Sequence, residues 1–213
     1  MARVLCLHGL GGTGATMWPV VGHLQSAHHT VLAPTLPGHG GDPSELRDVT
    51  WAQWLAAARE WPADVVVGQS MGAALALALA AEGTCRGAVV INPLAPDPDA
   101  VDGLEWRQSR GTERIEVGPS TVGEHAAEWL PIEALLQMHI GLLGLDLSRV
   151  TVPVLVITSA NDDVVDPASS DVVAGAVGGP VHRLRLEHSG HVASLDSERD
   201  RVAEAVVAFV STS

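Results

Sequence analysis

The chain has 213 residues, is 46% hydrophobic and carries a formal net charge of −13. That length suits one α/β core and is short for two, and the hydrophobic share excludes disorder. The acidic balance argues against nucleic acid and anionic membrane surfaces as partners. The twelve basic residues are all arginine, and tyrosine is absent; Schiff-base lysines, Walker lysines, Ser-Lys dyads and Tyr-Lys reductase sites are thereby excluded.

The N-terminal stretch Met1-Ala2-Arg3-Val4-Leu5-Cys6-Leu7-His8 has too short an apolar run for a signal peptide, and no run elsewhere is long enough to span a bilayer. A cytoplasmic chain without stable membrane insertion is expected. Cys6 and Cys85 lie in or beside apolar segments with no C-x-x-C spacing. They read as buried reduced thiols rather than a disulfide or metal site.

Residues 4–7 predict a strand that runs into His8-Gly9-Leu10-Gly11-Gly12-Thr13-Gly14. The glycines at 9, 11 and 14 match a dinucleotide fingerprint, which asks for an acid closing the next strand. That strand, residues 30–33, is followed by Pro34-Thr35-Leu36-Pro37 with no acid. The better reading is a glycine-rich loop that aims a backbone N–H, that of Leu10, at a developing oxyanion. Residues 17–24 predict a helix. His39, in the turn-rich loop 37–41, reads as a polar brace or a bystander; a metal role lacks partner spacing. Residues 50–61 predict a helix capped by Thr50 and stopped by Pro62.

The stretch Val65-Val66-Val67-Gly68-Gln69-Ser70-Met71-Gly72-Ala73-Ala74-Leu75 organises the chain. A β-branched run predicts a buried strand, and the Ala/Leu run after it predicts a helix. Between them stands Gly-x-Ser-x-Gly. Glycines on both sides remove the Cβ atoms that would collide with crossing elements, and the Ser70 hydroxyl is left exposed at the strand's end. That is the nucleophile elbow of an α/β-hydrolase; the alternative is a plain strand-to-helix turn.

Residues 87–91 predict the next buried strand. From Asp97 to about Gly123 no strand or helix period is visible, and Arg107, Arg110 and Arg114 stand among Glu105, Glu113 and Glu116. A solvated mixed-charge loop is the plain reading there, an anion-docking patch the alternative. Residues 124–143 predict a helix interrupted at Pro131. A lid insertion over about 97–143 is expected within a single domain, 1–213. Residues 152–158 predict a strand that enters Asn161-Asp162-Asp163-Val164-Val165-Asp166-Pro167. An acid at a strand's carboxyl end is where a triad carboxylate belongs: Asp162 is the first choice and Asp163 the second. Asp166 reads as the cap of the next helix, with Pro167 at its first position. Residues 181–186 predict the last strand, and a terminal helix is expected over about 197–210. His191 lies between them beside Gly190; a metal pair with His188 lacks a third ligand.

The order Ser70, Asp162, His191 is the Ser…Asp…His order of the α/β-hydrolase fold, a mostly parallel sheet with helices on both faces. In it His191 takes the Ser70 proton, Asp162 orients the imidazole, and the amides of Leu10 and Met71 form the oxyanion hole. The motifs His8-Gly9-Leu10-Gly11-Gly12, Gly68-Gln69-Ser70-Met71-Gly72, Asn161-Asp162 and Ser189-Gly190-His191-Val192, with Leu195-Asp196, resemble the bacterial carboxylesterase and monoacylglycerol lipase family, as does the segment 130–145. The resemblance covers nearly the whole chain from Val4. It implies hydrolysis of small esters with short or medium acyl chains, or of monoglycerides, with no cofactor. The chain departs from that family in a short lid stretch and in Gln69. Thioester hydrolysis on coenzyme A or carrier-bound acyl groups, and carbon–carbon hydrolysis, fit the same residues.

Overall fold

A computed structural model describes residues 1–118, 122–123 and 126–212. In chain order its elements are β1 (Arg3–Leu7), α1 (Trp18–Ser26), β2 (Thr30–Leu32), α2 (Trp51–Arg59), β3 (Val65–Gln69), α3 (Met71–Ala81), β4 (Gly87–Ile91) and α4 (Pro98–Ser109). There follow β5 (Arg114–Glu116), β6 (Trp129–Pro131), α5 (Ile132–Leu143), β7 (Val154–Ser159), α6 (Ala168–Ala176), β8 (Val181–Leu186) and α7 (Arg199–Thr212).

Six strands form one parallel sheet in the order β2-β1-β3-β4-β7-β8. Side chains alternate across a strand, so each central strand feeds two cores. Val65, Val67, Val89 and Ile91 face a layer built from α1 and α7. Val66, Ala88, Val90 and Val156 face the opposite layer, where α3 and Trp54 of α2 pack. A parallel sheet needs both faces covered, and the β-branched runs in β3 and β4 are the sequence expression of that need.

α3 is buried from Met71 to Ala80. A helix buried on all sides must be made of small or apolar residues, which is why Ala and Leu alternate there. Its first turn is pressed onto the sheet. A Cβ on Gly72 would stand 2.2 Å from the Leu7 carbonyl oxygen, and one on Gly68 would stand 2.0 Å from the Gly72 carbonyl oxygen. Any side chain at either position pushes helix and sheet apart.

The structure corrects the reading of the segment after β4. The stretch from Asp97 is not patternless: it forms α4 and then β5. α4 starts conventionally, with the Asp97 side chain accepting from the Asp99 amide and Pro98 in the first turn. None of its residues is buried, so it carries no apolar stripe and no readable period. The expected helix over 124–143 is also revised. Residues 129–131 are β6, paired antiparallel with β5, and α5 begins only at Ile132. Pro131 favours extended backbone at the residue before it, so it ends a strand here and does not interrupt a helix. Residues 119–121 and 124–125, which fall within the two stretches, lie outside the described residues. No described helix is long and apolar enough to cross a membrane.

Candidate active site

Ser70 joins the last residue of β3 to the first of α3 with φ 54° and ψ −118°. A non-glycine residue in that region is strained and persists only where its surroundings over-determine it. The glycines at 68 and 72 supply the room, and the Ser70 amide is held by the Ile91 carbonyl at 2.9 Å. The β1 loop passes directly over the serine: a Cβ on Gly9 would stand 3.3 Å from the Ser70 Cβ. Leu10, the next residue, has an amide that donates to no described group. Met71 opens α3, and a helix leaves its first amides without internal acceptors. The amides of Leu10 and Met71, the two sequence-predicted oxyanion donors, thus donate to no described group.

His191 and Asp162 arrive from the other side of the sheet's carboxyl edge. The His191 Nδ1 lies 2.8 Å from Asp162 Oδ2 and 3.1 Å from Oδ1. The Asp162 side chain is only 2% exposed, and its Oδ1 also accepts from the amides of Val164 and Val165, each at 2.9 Å. Its neighbour Asp163 is exposed and makes no such bond to the imidazole. Asp166 accepts from the Ala168 amide at 2.9 Å, and the cap position of α6 is taken by Pro167, one residue before the helix, whereas the sequence predicts it at the first helical position.

The loop bearing His191 is clamped by two further carboxylates. Glu198 accepts from the amides of His188 and Ser189, and Asp196 accepts from the Gly190 amide at 2.7 Å. Desolvation pushes the Glu198 carboxyl up, but the His188, Ser189 and Glu187 amides and Arg201 outweigh it and hold the group down at about 2. Glu198 is therefore a fixed negative post at any ordinary pH.

Asn92 is a residue that sequence reading passed over. It leaves β4 with φ 48° and is buried. Its Oδ1 accepts from the Ser159 amide at 2.8 Å, and its Nδ2 donates to the His191 carbonyl at 2.8 Å and to the Ser159 hydroxyl at 3.0 Å. One side chain thus ties the ends of β4 and β7 to the histidine loop. Gln69 acts similarly: it accepts from the Ser194 amide at 3.1 Å, and Ser194 donates to the Thr16 carbonyl at 2.9 Å. An Asn after a strand and a Gln beside the serine were the only sequence signals for this web.

His8 was also missed, and it fixes the loop that carries Leu10. Its Nε2 accepts from the Leu36 amide at 3.0 Å, so the proton sits on Nδ1, which donates to the Gly9 carbonyl at 2.8 Å. His39 packs edge-on against His8 and contacts Trp54, as a brace between loops. Burial, reinforced by His39, pushes the His8 pKa down to about 3. The unfolded chain binds this proton near the ordinary histidine value, and the folded chain does not. Stability is therefore fully present above that value and falls as pH falls towards about 3. Between about pH 7 and about pH 5 the loss from this one group is roughly 2 kcal/mol. Glu198 titrates lower and adds nothing in that window. Urea melts at the two pH values should show His8→Asn losing stability less steeply than the parent, by about that amount; parallel slopes would refute the assignment.

Ser70, Leu10 and His191 line one cavity of about 900 Å³, walled on its apolar side by Leu94, Leu135 and Met138. Among the described residues no group of three or more His, Cys, Asp or Glu side chains is arranged to hold a metal ion. Both cysteines are free thiols, and burial raises Cys6 to about 12.

Comparison with known proteins places this geometry in context. Residues 4–205 match the model of the alpha/beta hydrolase family. The chain is 30% identical over 223 residues to a thermostable monoacylglycerol lipase of Bacillus sp. (strain H-257), covering 97% of this chain and 89% of that protein. It is 25% identical over 226 residues to a carboxylesterase of Bacillus subtilis (strain 168), covering 97% and 91%. Among solved structures, one reported for LipS and LipT, two metagenome-derived lipolytic enzymes, superposes with a TM-score of 0.87 at 28% identity, covering 99% of this chain and 94% of that one.

Proposed function

The chain belongs to the alpha/beta hydrolase family, and from that premise we propose that it cleaves carboxylic esters through a Ser70-His191-Asp162 triad and an acyl-enzyme. It is an ester-hydrolysing enzyme of the lipase and esterase kind. The observation that carries the triad is the buried Asp162 carboxylate against His191 Nδ1, with the imidazole and the strained Ser70 lining the same cavity.

A serine hydroxyl is a weak nucleophile at neutral pH and needs a base. Asp162 keeps the proton of neutral His191 on Nδ1, which leaves Nε2 unprotonated as the acceptor. As Ser70 Oγ attacks the ester carbonyl, Nε2 takes the hydroxyl proton. The carbonyl oxygen becomes an oxyanion that the Leu10 and Met71 amides stabilise, each such donor being worth roughly 3–4 kcal/mol. The tetrahedral adduct then expels the alcohol, which leaves with the proton from His191. Water attacks the acyl-enzyme, His191 again accepting a proton, and collapse returns that proton to Ser70 and releases the acid. The Asp162 carboxylate is held in place before substrate binds, because the Val164 and Val165 amides already donate to it.

Monoglycerides and simple carboxylic esters are the proposed substrates, after the names of the two Bacillus relatives, with the short or medium acyl chains that the sequence resemblance implies. The apolar cavity wall suits an acyl chain. The segment over about 97–143 acts as its cap, since Asp97, Val117, Leu130 and His139 line the cavity that Ser70 also lines.

Turnover of p-nitrophenyl esters over a range of chain lengths, together with labelling by a fluorophosphonate, tests the proposal. Hydrolysis with a single adduct at Ser70 is expected. An inert protein whose Ser70 stays unmodified would overturn it. Matched oxygen and thiol esters of one acyl chain in the same assay separate esterase from thioesterase action.

A further inference from the structure

His139 is a polar side chain in an apolar helix, and the chemistry above makes no use of it. It lies on α5 beside Met138, and both line the cavity that contains Ser70. Its Nδ1 is buried and has no hydrogen-bond partner among the described residues. A neutral imidazole carries one proton, and a buried nitrogen with no acceptor in reach is the wrong place for it. The proton therefore sits on Nε2, which donates to no described group. Burial lowers the pKa of this histidine, against the pull of nearby Asp97, so the ring is neutral at ordinary pH.

Asp97 lines the same cavity. Its Oδ1 is committed to the cap of α4, accepting from the Asp99 amide at 3.0 Å. Its other oxygen accepts from no described group. A neutral donor and an anionic acceptor thus line one cavity, whose apolar lining includes Leu94, Leu135 and Met138.

A hydroxyl group both accepts and donates, so it can satisfy the two together. A ketone or ether would accept from His139 but turn its lone pairs towards the Asp97 charge. A carboxylate would be repelled by Asp97 outright. A plain alkyl chain would cover the His139 donor and leave it unpaired, which a site built for hydrogen bonding punishes. We propose that His139 and Asp97 form a hydroxyl-recognition subsite, so that the enzyme prefers esters whose acyl chain carries a hydroxyl group. The inference rests on the ester-hydrolase reading and names the substrate class of that same site.

The test compares kcat/KM for p-nitrophenyl octanoate, its isomers with the hydroxyl on successive carbons, and the matching keto esters. The parent enzyme should favour at least one hydroxy isomer over the plain ester by about tenfold, with no gain for the corresponding ketone. His139→Leu should bring that ratio close to unity. Asp97→Ser keeps a good helix cap while removing the free carboxylate oxygen, and should lower the ratio as well; it also serves should the first variant fail to fold. No preference for any hydroxy isomer in the parent overturns the subsite, and so does a preference that survives in both variants. Hydrolysis of the plain ester and fluorophosphonate labelling at Ser70 report separately on the parent reading, so either can fail without the other.

Discussion

Ser70→Ala should abolish ester hydrolysis and leave the fold standing. The substitution removes one oxygen from a position where the backbone is already strained, with φ 54°. Alanine is smaller than serine, so the Gly9 loop above it meets no new atom. No described group hydrogen-bonds to the Ser70 hydroxyl, so its removal strands no partner among them. Stability measured by urea or heat should therefore move little. Catalysis should not survive, because no second nucleophile stands at the elbow: loss of the serine in a triad costs on the order of a million-fold in kcat. What remains should be the slow attack of water helped by the oxyanion amides. The measurement is steady-state hydrolysis of a p-nitrophenyl ester, backed by a fluorophosphonate that no longer adds. A variant that keeps even a tenth of the parent rate would mean that another residue carries the acyl group.

The elbow and the sheet were legible because they rest on local rules. A β-branched run flanked by glycines can hardly be other than a buried strand meeting a tight turn, and β3, β4 and β8 follow the sequence reading closely. α2 was equally plain, for Thr50 and Gln53 cap it reciprocally. α4 was hidden for a physical reason. A helix that buries nothing has no apolar face, and its one signal was the Asp97-Pro98 start. β5 and β6 were hidden because strands of three residues are stabilised by their partner and not by their own period. At the site, the residues of the proposed chemistry were visible through motif spacing. The residues that hold them were not: the bonds of Asn92 to residues 159 and 191, and of Gln69 to residue 194, join points remote in sequence. Such contacts exist only after folding, and no local pattern announces them. The same holds for His8, which the sequence placed only at the start of a glycine-rich loop, while its bond to Leu36 defines that loop.

Asp162→Asn is the second large effect, and the surroundings of the carboxylate dictate its sign. Asp162 Oδ1 is held by the Val164 and Val165 amides, both donors. In the asparagine variant only the amide oxygen can stay on those two N–H groups. The NH2 is then forced into the place of Oδ2, 2.8 Å from His191 Nδ1. A donor there asks Nδ1 to be the acceptor and drives the imidazole proton onto Nε2. A histidine in that tautomer has no lone pair to take the Ser70 proton. The geometry survives and the base is lost; the corresponding change in a serine-protease triad lowers kcat about ten-thousand-fold, and a similar loss is expected here. Fluorophosphonate labelling should slow in parallel, because Ser70 itself is no longer activated. Asp163→Asn is the contrast. Asp163 is exposed and makes no bond to His191, so its neutralisation should cost far less than the change one residue earlier. The reverse ranking of the two variants would show that Asp163 is the working acid, and that the pairing of Asp162 with His191 orients the ring for some other purpose.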